Sequence, residues 1–292
     1  MLLKDVLLAL VVITVWGLNF VVIKIGLQGV PPLLLGALRF MLVLFPAILF
    51  IPRPQLPWRW LLAYGLTISL GQFAFLFYAM AVGMPAGLAS LVLQAQAFLT
   101  LLFAVPLLGE RVRAGQWLGL LVAAAGLTLI GLQSGPGMTL AGFALTLCAA
   151  AMWALGNIVS RRIGKVDILG LVIWGALVPP LPFLALSLWL EGPTTLERAL
   201  LGLDLTSLLA IAYLAFAATM LGYGLWGRLL SRYPASQVAP FSLLVPVVGL
   251  SASALLLGER LDTQQGVGVG LVLAGLLVNL YGARLPAPAR VR

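Results

Sequence analysis

From Trp60 to Gly109 the chain runs for 50 residues without an Asp, Glu, Lys or Arg. In a soluble domain about one residue in four is charged, so this stretch belongs in a membrane. A helix crosses the hydrocarbon core, about 30 Å, in about 20 residues. The run must therefore hold two spans, and Gly83-Met84-Pro85 is the break between them. A second uncharged run, Ala114 to Ser160, is divided in the same way by Gln133-Ser134-Gly135-Pro136-Gly137. Spans over Val6 to about Gln28, Leu33–Ile51, Ile168–Leu190, Leu205–Gly227, Ser236–Leu257 and Gly266–Tyr281 bring the total to ten. The one sizeable loop runs from Glu191 to Asp204.

Apolar residues make up 62% of the chain and charged residues 9%, spread so evenly that a soluble domain with a single anchor is excluded. A net charge of +9 would suggest a nucleic-acid partner in a soluble protein. Here the cations sit between apolar runs and follow the positive-inside rule. On the N-terminal side lie Lys4, Arg53, Arg59, Arg111, Arg113, Arg161, Arg162, Lys165, Arg228, Arg232, Arg284, Arg290 and Arg292. On the other side lie Lys24, Arg198 and Arg260, with Arg39 inside a span. Both termini are therefore expected in the cytoplasm, with the chain multi-pass in the inner (plasma) membrane and no nucleic-acid partner.

The inventory excludes chemistry as well. The sequence has no histidine and a single cysteine, Cys148. That leaves no Ser-His or Cys-His pair, no His-ligated zinc and no intrachain disulfide. An enzyme, a metal and a cofactor are all unexpected. Met1 to Asp5 lead directly into a first span too long for a signal-peptide core, so no cleaved leader is expected.

The chain also repeats itself. Leu107-Leu108-Gly109-Glu110-Arg111 recurs as Leu256-Leu257-Gly258-Glu259-Arg260, 149 residues later. The same ungapped offset pairs Pro85-Ala86 with Pro234-Ala235, Gln116 with Gln265, Gly119 with Gly268, and Ala125-Gly126-Leu127 with Ala274-Gly275-Leu276. Earlier in the halves Trp16 matches Trp153, and the longer loop after span seven absorbs the difference in offset. Residues 1–135 and 136–292 are thus expected to be two five-helix repeats. Five is odd, so the second enters the membrane inverted, an arrangement typical of transporters with a site near the midplane.

The paired Leu-Gly-Glu-Arg signature, the Gly-rich span after each copy, and Trp16-Gly17-Leu18-Asn19-Phe20 resemble the drug/metabolite transporter superfamily. The likeness is to its ten-helix EamA-type exporters, amino-acid and aromatic amino-acid exporters among them. It covers essentially the whole chain. It implies that spans three, four, eight and nine move around a central cavity while five and ten form a scaffold. Members often carry a proline late in both span four and span nine. Here Pro246 is matched by Ala97, so the two halves need not move alike. Small multidrug-resistance relatives carry a glutamate in the first span; the comparable stretch here offers Asn19, so their proton coupling is not carried over.

All eight acids fall in loops or at helix ends, leaving no buried carboxylate for a proton relay. Polar and aromatic residues in mid-span are the cavity candidates. Trp16, Asn19 and Phe20 share one helix face, as do Trp153 and Asn157. Phe75 with Tyr78 and Tyr223 with Trp226 form further pairs, with core packing or an interfacial belt the alternative. Gln94 and Gln96 lie about 200° apart on an ideal helix, so only one should face the cavity. Lys24 and Arg39 are candidates for gating or carboxylate steering, or simply snorkel to the interface. Pro240 and Pro246 mark a candidate bend.

These features imply an exporter of small neutral or zwitterionic metabolites, amino acids including aromatic ones, by alternating access without proton coupling. A phosphorylated-metabolite or sugar-nucleotide carrier, a lipid scramblase and a lipid-modifying enzyme remain open. The partners are a small-molecule substrate and the bilayer. The sequence is compatible with a monomer and does not fix the oligomeric state.

Overall fold

The computed structural model describes residues 1–133 and 137–282. Arg284, Arg290, Arg292 and the centre of the Gln133–Gly137 divider lie outside them. Among the described residues the chain is all-helical, with ten helices long and apolar enough to span a membrane. They are α1 Leu3–Gly29, α2 Pro32–Leu49, α3 Trp58–Ala81, α4 Ala86–Leu108, α5 Ala114–Leu132, α6 Leu140–Ile163, α7 Ile168–Leu190, α8 Leu205–Arg232, α9 Ala235–Leu257 and α10 Thr263–Gly282. Within the expected loop between α7 and α8 lies a short amphipathic helix, Pro193–Leu201, started by Pro at its first turn. Helix α8 also runs one turn past its expected end, because Arg232 and Tyr233 find a partner there in Asp5.

The repeated signature is a helix-ending device. Gly109 and Gly258 adopt φ of 70° and 68°, a left-handed conformation that glycine enters without a Cβ clash. The next residue's N–H then reaches back six residues, Glu110 to the Ala104 carbonyl and Glu259 to the Ser253 carbonyl. In both copies the turn delivers a glutamate just beyond the helix end.

Small residues decide the closest packing. Helices α5 and α10 run antiparallel in backbone-to-backbone contact. A Cβ on Gly119 would meet the Gly275 carbonyl at 2.7 Å, and one on Gly268 would meet the Gly126 carbonyl at 2.9 Å. With no hydrophobic drive between helices in lipid, such close approach supplies the dispersion that holds them. The other contacts interlock the halves: α1 packs on α8 and α9, α6 packs on α3 and α4, and α2 packs on α7.

Helices α4 and α9 are both broken, α4 between Ala86–Val92 and Ala95–Leu108, α9 between Ala235–Ser242 and Val245–Leu257. Pro246 of α9 has Ala97 as its matching residue in α4. Yet α4 breaks at the equivalent place, so the break does not depend on that proline.

Candidate functional site

Helices α3 and α8 each contain a stretch of wide π-helical turn, Gly65–Gly71 and Tyr213–Leu221. The Gln72 N–H bonds the Thr67 carbonyl and the Gly222 N–H the Ala217 carbonyl, five residues back instead of four. Such turns insert about one extra residue and rotate the remainder of the helix. In α3 this brings Gln72, Phe73 and Leu76 to the inside. Phe75 instead packs against the core and Tyr78 is exposed, so neither lines the cavity expected of them. In α8 the expected pair, Tyr223 and Trp226, does face inward.

Between these helices lies a cavity of about 1150 Å³. Trp16, Asn19 and Phe20 of α1 line it, as do Trp153 and Asn157 of α6. The Trp16 ring lies 5.3 Å from those of Tyr223 and Trp226, and its Nε1–H donates to the Ala218 carbonyl at 2.9 Å. Opposite, the Asn157 side-chain amide donates to Gln96 Oε1 at 2.8 Å and to Thr100 Oγ1 at 3.1 Å, tying α6 to α4.

Gln94 and Gln96 both line the cavity, against the expectation from an ideal helix. The break in α4 explains this. Gln94, Gln96 and Ala97 all bond three residues back, which tightens the helix and changes the rotation between the two glutamines.

Arg39 does not snorkel. It is 2% exposed and lines the cavity, with its Cζ 4.0 Å from the Phe73 ring centre and one nitrogen, Nη2, donating to Thr219 Oγ1 at 2.9 Å. Lys24 lies off the cavity and donates Nζ to the Met80 carbonyl at 3.0 Å, joining the ends of α1 and α3. Pro240 and Pro246 flank the break in α9 without lining the cavity; Ala239, Ser242 and Val245 do so beside them.

Asp5 also departs from expectation, in that its carboxylate is buried. It is 1% exposed and accepts hydrogen bonds from the Tyr233 hydroxyl at 2.8 Å and from Arg232. It sits in the first turn of α1 and does not line the cavity. Residues that sequence reasoning missed include Tyr64, Gln72 and Ser90 in the cavity and Lys165, Asp167 and Arg228 at its mouth. Gln72 carried a signal, as the one side-chain amide of its span in the 50-residue uncharged run.

The cavity is asymmetric. It extends to the α6–α7 connection at Gly164–Leu169 and to the end of α8 at Arg228–Ser231. That is the side of the N-terminus, as the bonds of Asp5 to Arg232 and Tyr233 show. On the opposite side Glu259 accepts the N–H groups of Ala86 at 2.7 Å and Gly87 at 2.9 Å, where α4 begins with unsatisfied donors. Glu191 does the same for Leu33 and Leu34 at the start of α2.

The profile of the EamA-like transporter family matches residues 3–132 and, a second time, residues 140–281. The chain belongs to the EamA-like transporter family. It is similar to a protein of Salmonella typhimurium named "Probable amino-acid metabolite efflux pump", 52% identical over 99% of this chain and 98% of that protein. An Escherichia coli protein of the same name is 52% identical over 96% of each chain. A crystal structure of a 22% identical protein covers 98% of this chain and 99% of its own with a TM-score of 0.65, a likeness of fold. As a member of this family the chain is a multi-pass membrane transporter and not an enzyme. Among the described residues no group of three His, Cys, Asp or Glu is placed to hold a metal.

Proposed function

We propose that this EamA-like chain exports small neutral or zwitterionic amino-acid metabolites, aromatic ones included, by alternating access. The observation that carries the reading is the cavity, lined by rings and side-chain amides and reaching one side of the bundle, while on the other side Glu259 is bonded across to the start of α4. The name shared by the two 52% identical relatives supports the substrate class.

Two inverted repeats, residues 1–135 and 136–292, supply the second state. In support, the family profile matches twice, and the π turns of α3 and α8 fall in equivalent places. The seam of α5 and α10 supports it too: adding 149 to one partner and subtracting it from the other turns the Gly119–Gly275 contact into Gly268–Gly126. A seam of that kind has a two-fold axis in the membrane plane. Helices α3, α4, α8 and α9 move around the cavity while α5 and α10 stay fixed.

With both termini cytoplasmic in the inner membrane, the cavity faces the cytoplasm and takes substrate from it. The positive-inside excess supports this orientation. Transport runs down the substrate gradient without protons, since among the described residues the one acid lining the cavity, Asp167, stands at its mouth.

Purified protein in liposomes is the test. Labelled phenylalanine and leucine should be taken up saturably with or without a pH gradient, and Trp16→Ala or Asn19→Ala should abolish uptake. A pH gradient driving uphill flux would overturn the uncoupled mechanism. Flux of phosphate esters or lipids in place of amino acids would overturn the substrate class.

A further inference from the structure

Arg39 is a full charge held in the apolar interior without a carboxylate. Among the described residues no ion pair involves it. Its surroundings are the rings of Phe73, Phe40 and Phe77, at 4.0, 5.4 and 5.9 Å from Cζ to ring centre, with the Thr219 hydroxyl on Nη2. A guanidinium carries five N–H donors. Nε and Nη1 are buried and have no partner. Ring faces offset part of the desolvation of a cation, but they leave N–H groups unbonded. A lone buried charge of this kind is expensive, and in membrane proteins it marks a substrate or ion path.

Two acceptors in the same cavity share this condition. Asn19 Oδ1 on α1 and Gln72 Oε1 on α3 are buried without a partner, in side chains 7% and 3% exposed. The cavity wall thus holds an unpaired cation and two unpaired carbonyl oxygens. A zwitterion has the complementary pair, a carboxylate and an ammonium group.

We propose that Arg39 is the carboxylate-recognition residue of the cavity, and that Asn19 and Gln72 receive the ammonium group of the same ligand. The assignment rests on the reading of the cavity as a site for amino-acid-like metabolites and narrows it: the ligand must carry a free carboxylate. The guanidinium turns on its flexible stem, which Thr219 tethers by one hydrogen bond, and exchanges ring contacts for the carboxylate. Lys165 and Arg228 at the mouth add a positive field on the approach. The specificity is for the charged end of the ligand, and the remaining cavity wall accepts varied side chains.

The test uses purified full-length protein in nanodiscs and in liposomes. The probes are L-phenylalanine, L-phenylalaninamide, which lacks the carboxylate, and 3-phenylpropionate, which lacks the ammonium group. Wild-type protein should bind phenylalanine best, 3-phenylpropionate more weakly and the amide about tenfold or more weaker than phenylalanine, the range for a charge-assisted hydrogen bond. Arg39→Gln should lose the preference of acid over amide, and Arg39→Lys should keep part of it. Asn19→Leu and Gln72→Leu should weaken phenylalanine and leave 3-phenylpropionate unchanged, a pattern misfolding does not produce. Equal binding of acid and amide by wild type, or an acid preference surviving Arg39→Gln, overturns the assignment. If phenylalanine and leucine are still transported in that case, the export reading stands without it. If wild-type protein neither binds nor moves any carboxylate probe, both fail.

Discussion

Glu110 and Glu259 occupy the same place in two copies of one five-residue string, yet they do different things. Glu259 accepts two backbone N–H groups at the start of α4. Glu110 pairs with Arg161 at 2.8 Å, with both side chains nearly half exposed. The helix turn that presents each glutamate is the same; only the partner differs. Offset by 149 residues, Ala86 and Gly87 correspond to Ala235 and Ser236 at the start of α9. One copy thus holds a helix start on the side away from the cavity mouth, while its twin holds a surface arginine on the side of the mouth. The α5–α10 seam shows the opposite behaviour, with both copies making the same contacts. Contacts that both copies share and contacts that only one copy makes can therefore be told apart by comparing the two halves position by position.

The largest effects should come where they agree. Gly126→Leu and Gly275→Leu each force a side chain against facing backbone, and each should destabilise the fold by roughly 3 kcal/mol or more, read as a drop in thermal midpoint. Clearly unequal losses would break the symmetry of the seam. Next come the two glutamates. Glu259→Gln removes a charged acceptor from two N–H groups, so amide exchange at Ala86 and Gly87 should quicken by about tenfold or more. Glu110→Gln should leave those amides unchanged, because its carboxylate pairs with Arg161 and not with the start of α4. Trapping the second state, for example with a conformation-selective binder, should instead protect the first turn of α9 in a manner that Glu110→Gln abolishes.

Smaller effects are expected at single contacts. Trp16→Phe keeps one aromatic ring but removes the hydrogen bond to the Ala218 carbonyl and part of the packing volume, at a cost of about 1 kcal/mol or more, measurable as a lowered thermal midpoint. Asp204 should give the smallest effect. Its carboxylate caps α8 by accepting the Ser207 N–H at 2.8 Å, and this bond holds its pKa below the ordinary carboxylate value. The contribution is present above the unfolded-state pKa and fades as pH falls through the folded-state one. Asp204→Asn, which still caps, should flatten the acid limb of a stability–pH profile slightly.

The spans were legible because hydropathy over about 20 residues depends on composition alone, and Ile168–Leu190 falls on its predicted ends. The recurring string is visible in the sequence itself because Pro, Gln and Gly-Glu-Arg stand out in a Leu-rich background. Which face of a helix points inward was not legible where the helix departs from ideal geometry. Phe75 and Tyr78 were assigned by regular spacing, and the wide turn before them moved that face to Gln72 and Phe73. Gln94 and Gln96 were separated by the same assumption and reunited by a tight turn. Between the two readings of Arg39, steering and snorkelling, helical spacing cannot choose: its aromatic partners, Phe73 and Phe77, lie on a different helix, and only tertiary packing brings them over it. Asp5 likewise looked terminal until Tyr233 covered it.

The interlocked packing of the two halves also bears on how the molecule is made. The hydrogen bond of Trp16 is to a carbonyl 202 residues further along the chain, and α1 finds its other main partner, α9, later still. At the usual pace of translation, about 5–20 residues per second, Trp16 waits about 10 to 40 seconds for Ala218 to be synthesised. During that interval α1 sits in the bilayer with its indole N–H unclaimed and Asn19 facing lipid or the insertion machinery. Helix α1, made well before its partners, is thus among the last helices to be fully assembled, since its packing is complete only when α8 and α9 arrive.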